Sequence, residues 1–252
     1  MKYLRFEDKD KAEKYGVLEG ELVREIDWDL FGDYMPTDII HNLDTINILP
    51  PCTPTKIVCV GLNYRDHAEE MNSEVPEDPR IFIKPNTAII GHEDTIIYPD
   101  HMSARVDYEG ELAVVMGKRA KGISADNALD YVFGYTCLND VTARDLTAKD
   151  IQYTRGKGFD TFAPFGPFIE TELDPSNLHI ATYLNDEIKQ SSNTSMQIFN
   201  VPKLISFISN VMTLLPGDII STGTPSGIGP MKKGDTVEVH IEGIGILRNH
   251  IG

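Results

Sequence analysis

Apolar residues fall in short runs broken by charged or Gly/Pro-containing turns, a pattern that predicts strands more often than helices. Over residues 1–50, Tyr3-Leu4-Arg5-Phe6 and Leu22-Val23-Arg24-Glu25-Ile26 are separated by turns such as Glu7-Asp8-Lys9-Asp10, which reads as a small β-rich appendage. Leu49-Pro50-Pro51-Cys52-Thr53-Pro54-Thr55 then removes backbone donors and blocks a helix. It divides an N-terminal β-rich unit, 1–50, from a main domain, 51–252. In the latter, strands are expected at 56–60, 81–83, 95–98, 110–116, 131–138, 179–184, 218–221 and 236–241. Helices are expected over 64–71, 143–149 and 201–211, the last with Pro202 early in its first turn. Strand spacing is too irregular for strict βαβ alternation. The expected class is therefore a β-rich α+β fold, mixed and largely antiparallel, and not a doubly wound sheet.

Composition adds one constraint. The 252 residues are 41% hydrophobic and 25% charged, ordinary for a globular chain, but 23 Lys and Arg against 39 Asp and Glu give a net charge of −16. Such a field repels nucleic acid and anionic membranes, so neither is an expected partner. An anionic substrate would require Arg, Lys or a metal ion gathered at one place. Cys52, Cys59 and Cys137 fit no zinc or disulfide spacing, and the N-terminus has no apolar signal core. Both suggest a cytoplasmic protein. No run approaches the roughly 20 apolar residues of a membrane span, and Asn193-Thr194-Ser195 is read as a chance sequon.

Five segments could carry chemistry. In Glu109-Gly110-Glu111 the period of two puts both carboxylates on one strand face, where they could share a hard cation or simply mark a solvated strand end. Asp140 follows an apolar strand and precedes a helix, so it could ligate metal or cap the helix, with Arg144 one turn further on. His67 and Glu70 are three apart on a helical stretch, which allows a carboxylate-oriented imidazole base or an incidental surface pair. The Gly-rich run 217–230 permits close backbone approach but lacks the Lys-Ser/Thr of a phosphate loop. Gly156-Lys157-Gly158 sets a cation between glycines.

Taken together, Gly61-Leu62-Asn63-Tyr64, Glu109-Gly110-Glu111, Asn139-Asp140-Val141-Thr142-Ala143-Arg144-Asp145, Lys157-Gly158-Phe159 and Thr222-Gly223-Thr224-Pro225 resemble the catalytic domain of the fumarylacetoacetate hydrolase family in order and spacing. The resemblance covers about Thr55 to Gly252. It implies the mixed β-sandwich roll of that family, a homodimer, and Mg²⁺ or Mn²⁺ held by Glu109, Glu111 and Asp140. Arg144 and Thr224 would bind substrate and Lys157 would stabilise an enolate. His67 with Glu70 matches the dyad that smaller acylpyruvate hydrolase and oxaloacetate decarboxylase members carry on a lid helix. Thr147 departs from the Gln those members often have. The implied activity is Mg²⁺-dependent C–C hydrolysis or decarboxylation of 2-oxo di-acids or acylpyruvates. A 2-hydroxyhepta-2,4-diene-1,7-dioate isomerase of aromatic catabolism and a catalytically silent binding protein are the alternatives. The charged 62–71 segment is expected to be a mobile lid, with His67 far from the carboxylates until substrate closes it.

Overall fold

The computed structural model describes residues 1–27 and 30–252. Among them are 20 strands and four α-helices: α1 (Arg65–Glu70), α2 (Arg144–Lys149), α3 (Thr154–Lys157) and α4 (Val201–Val211). The strands form one 12-stranded sheet, one of five and one of three. Most ladders are antiparallel. The chain thus has the β-rich architecture expected, and no helix among the described residues is long and apolar enough to cross a membrane.

The centre of the large sheet runs Val132–Asn139, Gly110–Met116, Ile219–Ser221, Ile57–Gly61 and finally the edge strand Arg80–Lys84. Gly110–Met116 is buried throughout because it has a core on each face. Leu112, Val114 and Met116 face Val58, Val60 and the Leu204, Ile205 and Ile208 stripe of α4. Ala113 and Val115 face Ile57, Cys59, Leu138 and Phe165. A strand covered on both sides reads as a continuous apolar run. Helix α4 has Pro202 in its first turn, as its sequence predicts, and the Asn200 side chain caps it by accepting from Lys203 N at 3.0 Å.

Strands of the first fifty residues extend this same sheet, since Lys2–Glu7 pairs antiparallel with Ala163–Glu170. Ala163–Glu170 was not expected as a strand, because Pro164, Gly166 and Pro167 break its pattern. Glu187–Asn193 and Gly245–Ile251 were missed as well; the first is almost wholly polar. The short α3, which carries Lys157, was also not foreseen.

Candidate active site

Strand register brings the three carboxylates together. Gly110 pairs with Asn139 and Glu111 with Leu138, so the chain leaving Val132–Asn139 passes beside Glu109. Asp140 N donates to Glu109 O at 2.8 Å and Glu109 N to the Asn139 side-chain oxygen at 2.9 Å. Glu109, Glu111 and Asp140 are all buried, each with an oxygen within 4.8 Å of the others. Glu109 and Glu111 share the parity of Ala113 and Val115, so the acidic row continues one core face. The capping alternative for Asp140 is overturned: α2 starts after Ala143, and the Asp140 carboxylate instead meets Lys84 Nζ at 2.5 Å and Lys157 Nζ at 2.6 Å. Arg144 is therefore not one helical turn from Asp140; a short strand, Thr142–Ala143, lies between them.

The charges are unevenly matched. Lys157 also binds Glu109 Oε2 at 2.8 Å, and Arg144 binds Glu109 Oε1 and, at 2.9 Å, Asp107 Oδ2. Burial pushes the Glu109 carboxyl upward, but Lys157 and Arg144 outweigh it and hold Glu109 well below the usual carboxylate range. Lys157 is opposed by burial yet kept above the ordinary lysine range by Asp140 and Glu109. Glu111 has no such ion pair among the described residues: its Oε2 accepts from Ser221 Oγ at 2.5 Å and Gly223 N at 2.7 Å. Burial, then the charges of Asp140 and Glu109, push its carboxyl up to about 8. A site this acidic and short of positive charge at Glu111, with oxygen donors only, fits a hard divalent cation.

These groups line a cavity of about 290 Å³ together with His67, Thr224, Thr147 and the aromatic pair Phe82 and Tyr153. That is the small end of ligand sites, suited to a compound of few carbons. A larger groove of about 660 Å³ lies between Arg65 and the start of α4 and contains none of the carboxylates.

The 62–71 segment departs from the open lid expected. His67 on α1 is buried and lines the same cavity. Its Nδ1 is 2.9 Å from Glu70 Oε2, while Glu70 Oε1 accepts from Gly227 N at 3.0 Å. Asp66 Oδ2 accepts from Ser192 Oγ at 2.6 Å and Arg65 donates to Gln197 O at 3.2 Å. The charged residues that suggested mobility are the ones that fasten the helix. In the tautomer whose Nδ1–H donates to the Glu70 carboxylate, Nε2 carries the free lone pair.

Thr224 joins the site from the Gly-rich loop, where its hydroxyl donates to Gly110 O at 2.9 Å and accepts from Gln190 at 2.8 Å. Gly223 has φ +96°, and a Cβ there would lie 2.7 Å from that of Asn63, so glycine is required. Asn63, in Gly61-Leu62-Asn63-Tyr64, donates to Thr222 O and Phe199 O and accepts from Phe199 N, which fixes that loop. Thr147 turns its hydroxyl to Arg144 O at 3.0 Å.

Sequence reasoning did not single out Lys84, Asp107, Ser221 or Gln190. Lys84 is fully buried, and Lys is the last residue expected there. The available signal was its place at the end of Arg80-Ile81-Phe82-Ile83-Lys84. Asp107 shares the period-two row of Glu109 and Glu111, the signal that could have found it.

With this geometry in place, residues 56–252 match the family model described as fumarylacetoacetate (FAA) hydrolase C-terminal, and residues 1–51 match one described as Rv2993c-like, N-terminal. The chain is 43% identical over 227 residues to oxaloacetate tautomerase YisK of Bacillus subtilis, covering 84% of this chain and 75% of that protein. It is similar to the crystal structure of 2-hydroxyhepta-2,4-diene-1,7-dioate isomerase from Mycobacterium marinum, with 43% identity and a TM-score of 0.93 over 100% of this chain and 98% of the other. Maleylpyruvate hydrolase from Sphingobium sp. SYK-6, in complex with manganese(II) and pyruvate, matches at 28% identity and a TM-score of 0.83, again over 100% and 98%.

Proposed function

The chain belongs to the fumarylacetoacetate hydrolase family, and we propose that it is a divalent-cation-dependent enzyme that enolises a small 2-oxo acid and moves a proton between carbon and oxygen. One observation carries this reading: the three buried carboxylates, Arg144, Lys157 and the His67–Glu70 pair line or flank a single small cavity. A relative named as an oxaloacetate tautomerase and a structure named as a dioate isomerase support the proton-moving outcome.

Glu109, Glu111 and Asp140 are the residues that would hold Mg²⁺ or Mn²⁺. The cation supplies Lewis acidity that favours negative charge on the 2-oxo oxygen. The remaining steps fall to side chains of this chain. Arg144, oriented by Asp107, takes the substrate's 1-carboxylate, and Lys157 offers its ammonium to the developing enolate oxygen. His67 Nε2 removes or returns the proton at C3, while Glu70 holds the Nδ1 proton and so the tautomer. Thr224 sits on the cavity wall beside the substrate.

Hydrolysis of a C–C bond is the second reading, supported by the similarity to a structure named maleylpyruvate hydrolase; the His67–Glu70 pair would then act as a base for water. Incubation of the purified protein with Mg²⁺ against oxaloacetate, acylpyruvates and unsaturated 2-hydroxy dioates, read by NMR, distinguishes the outcomes. Proton transfer without loss of carbon is expected, abolished by EDTA. No conversion above that of Mg²⁺ alone would overturn the proposal.

A further inference from the structure

Lys157 stands between two glycines, and the first of them fixes where its side chain starts. A Cβ on Gly156 would lie 2.4 Å from the Thr147 methyl and 3.1 Å from Ala143 O, so glycine lets α3 pack directly on α2. The Lys157 backbone is held there, its N donating to Tyr153 O at 2.9 Å. Its flexible stem reaches into the cavity, where Nζ lies 5.2 Å from the centre of the Phe82 ring.

Lys84, Arg144 and Lys157 all touch the carboxylate triad, but the first two also have a hold outside it. Lys84 pairs with Asp140 Oδ1 and donates to Val141 O at 2.9 Å. Arg144 pairs with Glu109 Oε1 and is anchored on Asp107 Oδ2 at 2.9 Å, while Asp107 is itself gripped through both oxygens by Arg105. Lys157 has no such anchor among the described residues. Its ammonium donates to Glu109 Oε2 at 2.8 Å and to Asp140 Oδ2 at 2.6 Å, and both partners belong to the triad. Every oxygen of Glu109 and Asp140 therefore accepts from a cation already, and Glu111 Oε1 is the one triad oxygen without a hydrogen-bond partner among the described residues. A divalent ion ligated by all three residues would meet positive charge on these oxygens, and the repulsion falls on the one ammonium that nothing else restrains.

We propose that Lys157 competes with the divalent cation for Glu109 and Asp140: it neutralises them while no cation is bound, yields them when one binds, and so turns its ammonium to a substrate oxygen only in the loaded site. This rests on the reading above, in which the triad holds a divalent cation. Loss of Lys157 then strengthens metal binding, because a like charge leaves the ion's neighbourhood. The displaced ammonium finds its new partner on the anionic substrate, so metal and substrate favour each other's binding through this one side chain.

Calorimetric titration of the chelator-stripped protein with Mn²⁺ at mildly alkaline pH, with and without oxalate, tests this. Lys157→Met keeps the apolar stem and removes the charge, and should bind Mn²⁺ about tenfold tighter than the wild type, the size of one charge-assisted contact that no longer has to be broken. Lys157→Gln, which keeps a neutral donor, should show the same gain, and it carries the test if Lys157→Met does not fold. Lys157→Arg keeps the charge and should bind no tighter than the wild type. A gain in affinity is a result that mere loss of structure does not produce. Oxalate should tighten Mn²⁺ more in the wild type than in either neutral variant, which narrows the gap between them. Wild-type or weaker Mn²⁺ affinity in the neutral variants would overturn the competition, and equal tightening by oxalate in all of them would overturn the coupling to substrate. Failure of Mn²⁺ to bind any of the four proteins would overturn instead the reading on which both rest.

Discussion

Glu109 and Asp140 each face a lysine, whereas among the described residues Glu111 is held by a hydroxyl and a backbone N–H. Its carboxyl, raised from 4.5 to about 8, carries a proton at neutral pH when no metal is bound. A group raised in this way contributes stability that is full below about 4.5 and lost as pH rises through about 8. A divalent cation must displace that proton. Mn²⁺ affinity should therefore rise with pH, by up to tenfold per unit, and level off above about 8. Titration calorimetry at several pH values checks this, and Glu111→Gln should lose both the affinity and its pH dependence. His67→Ala should lower turnover by roughly 10²–10⁴, the range of a lost general base, with Mn²⁺ affinity unchanged. Glu70→Ala should lose less, since it only orients the ring. At this scale the sequence was informative where periodicity ties residues to one another: Glu109 to Glu111, His67 to Glu70. It was silent where a partner comes from a distant strand, as Lys84 does for Asp140, because no local pattern encodes a contact 56 residues away.

Elements were legible when one face or one cap dominated. Helix α4 announces itself by Pro202 and the spacing of Leu204, Ile205 and Ile208, and Gly110–Met116 by the unbroken apolar run 112–116 that follows Glu111. Ala163–Glu170 did not, because tertiary pairing with Val132–Asn139 and Lys2–Glu7 overrides its two prolines. Helix α1 was placed in sequence, but not its attachment, which depends on Ser192, Gln197 and Gly227 far along the chain. Six residues of helix have little stability of their own. Asp66→Ala, which removes the Ser192 contact, should therefore speed hydrogen exchange of the α1 amides several-fold and leave Gly110–Met116 unaffected. Equal exchange in α1 would show that these tethers do not hold it.

Across the whole molecule, the N-terminal strands and the catalytic sheet share a core. Tyr3, Ile26 and Leu30 are buried among Cys52, Ile57, Phe165 and Ile169. At about 1.5–3 kcal/mol for each large apolar side chain, removing residues 1–50 should cost a large part of a typical stability of roughly 5–15 kcal/mol. A 51–252 truncation should melt far below the full chain or aggregate. The proposed function has a cation site and a base, held by this framework, act together on C3 of a 2-oxo acid. It is tested most directly by following exchange of the C3 protons of 2-oxoglutarate in D₂O by NMR. Mg²⁺-loaded protein should exchange them faster than Mg²⁺ alone, and EDTA, Glu111→Gln and His67→Ala should each remove the excess. Exchange by the protein that is no faster than by free Mg²⁺, or that survives in His67→Ala, would contradict it.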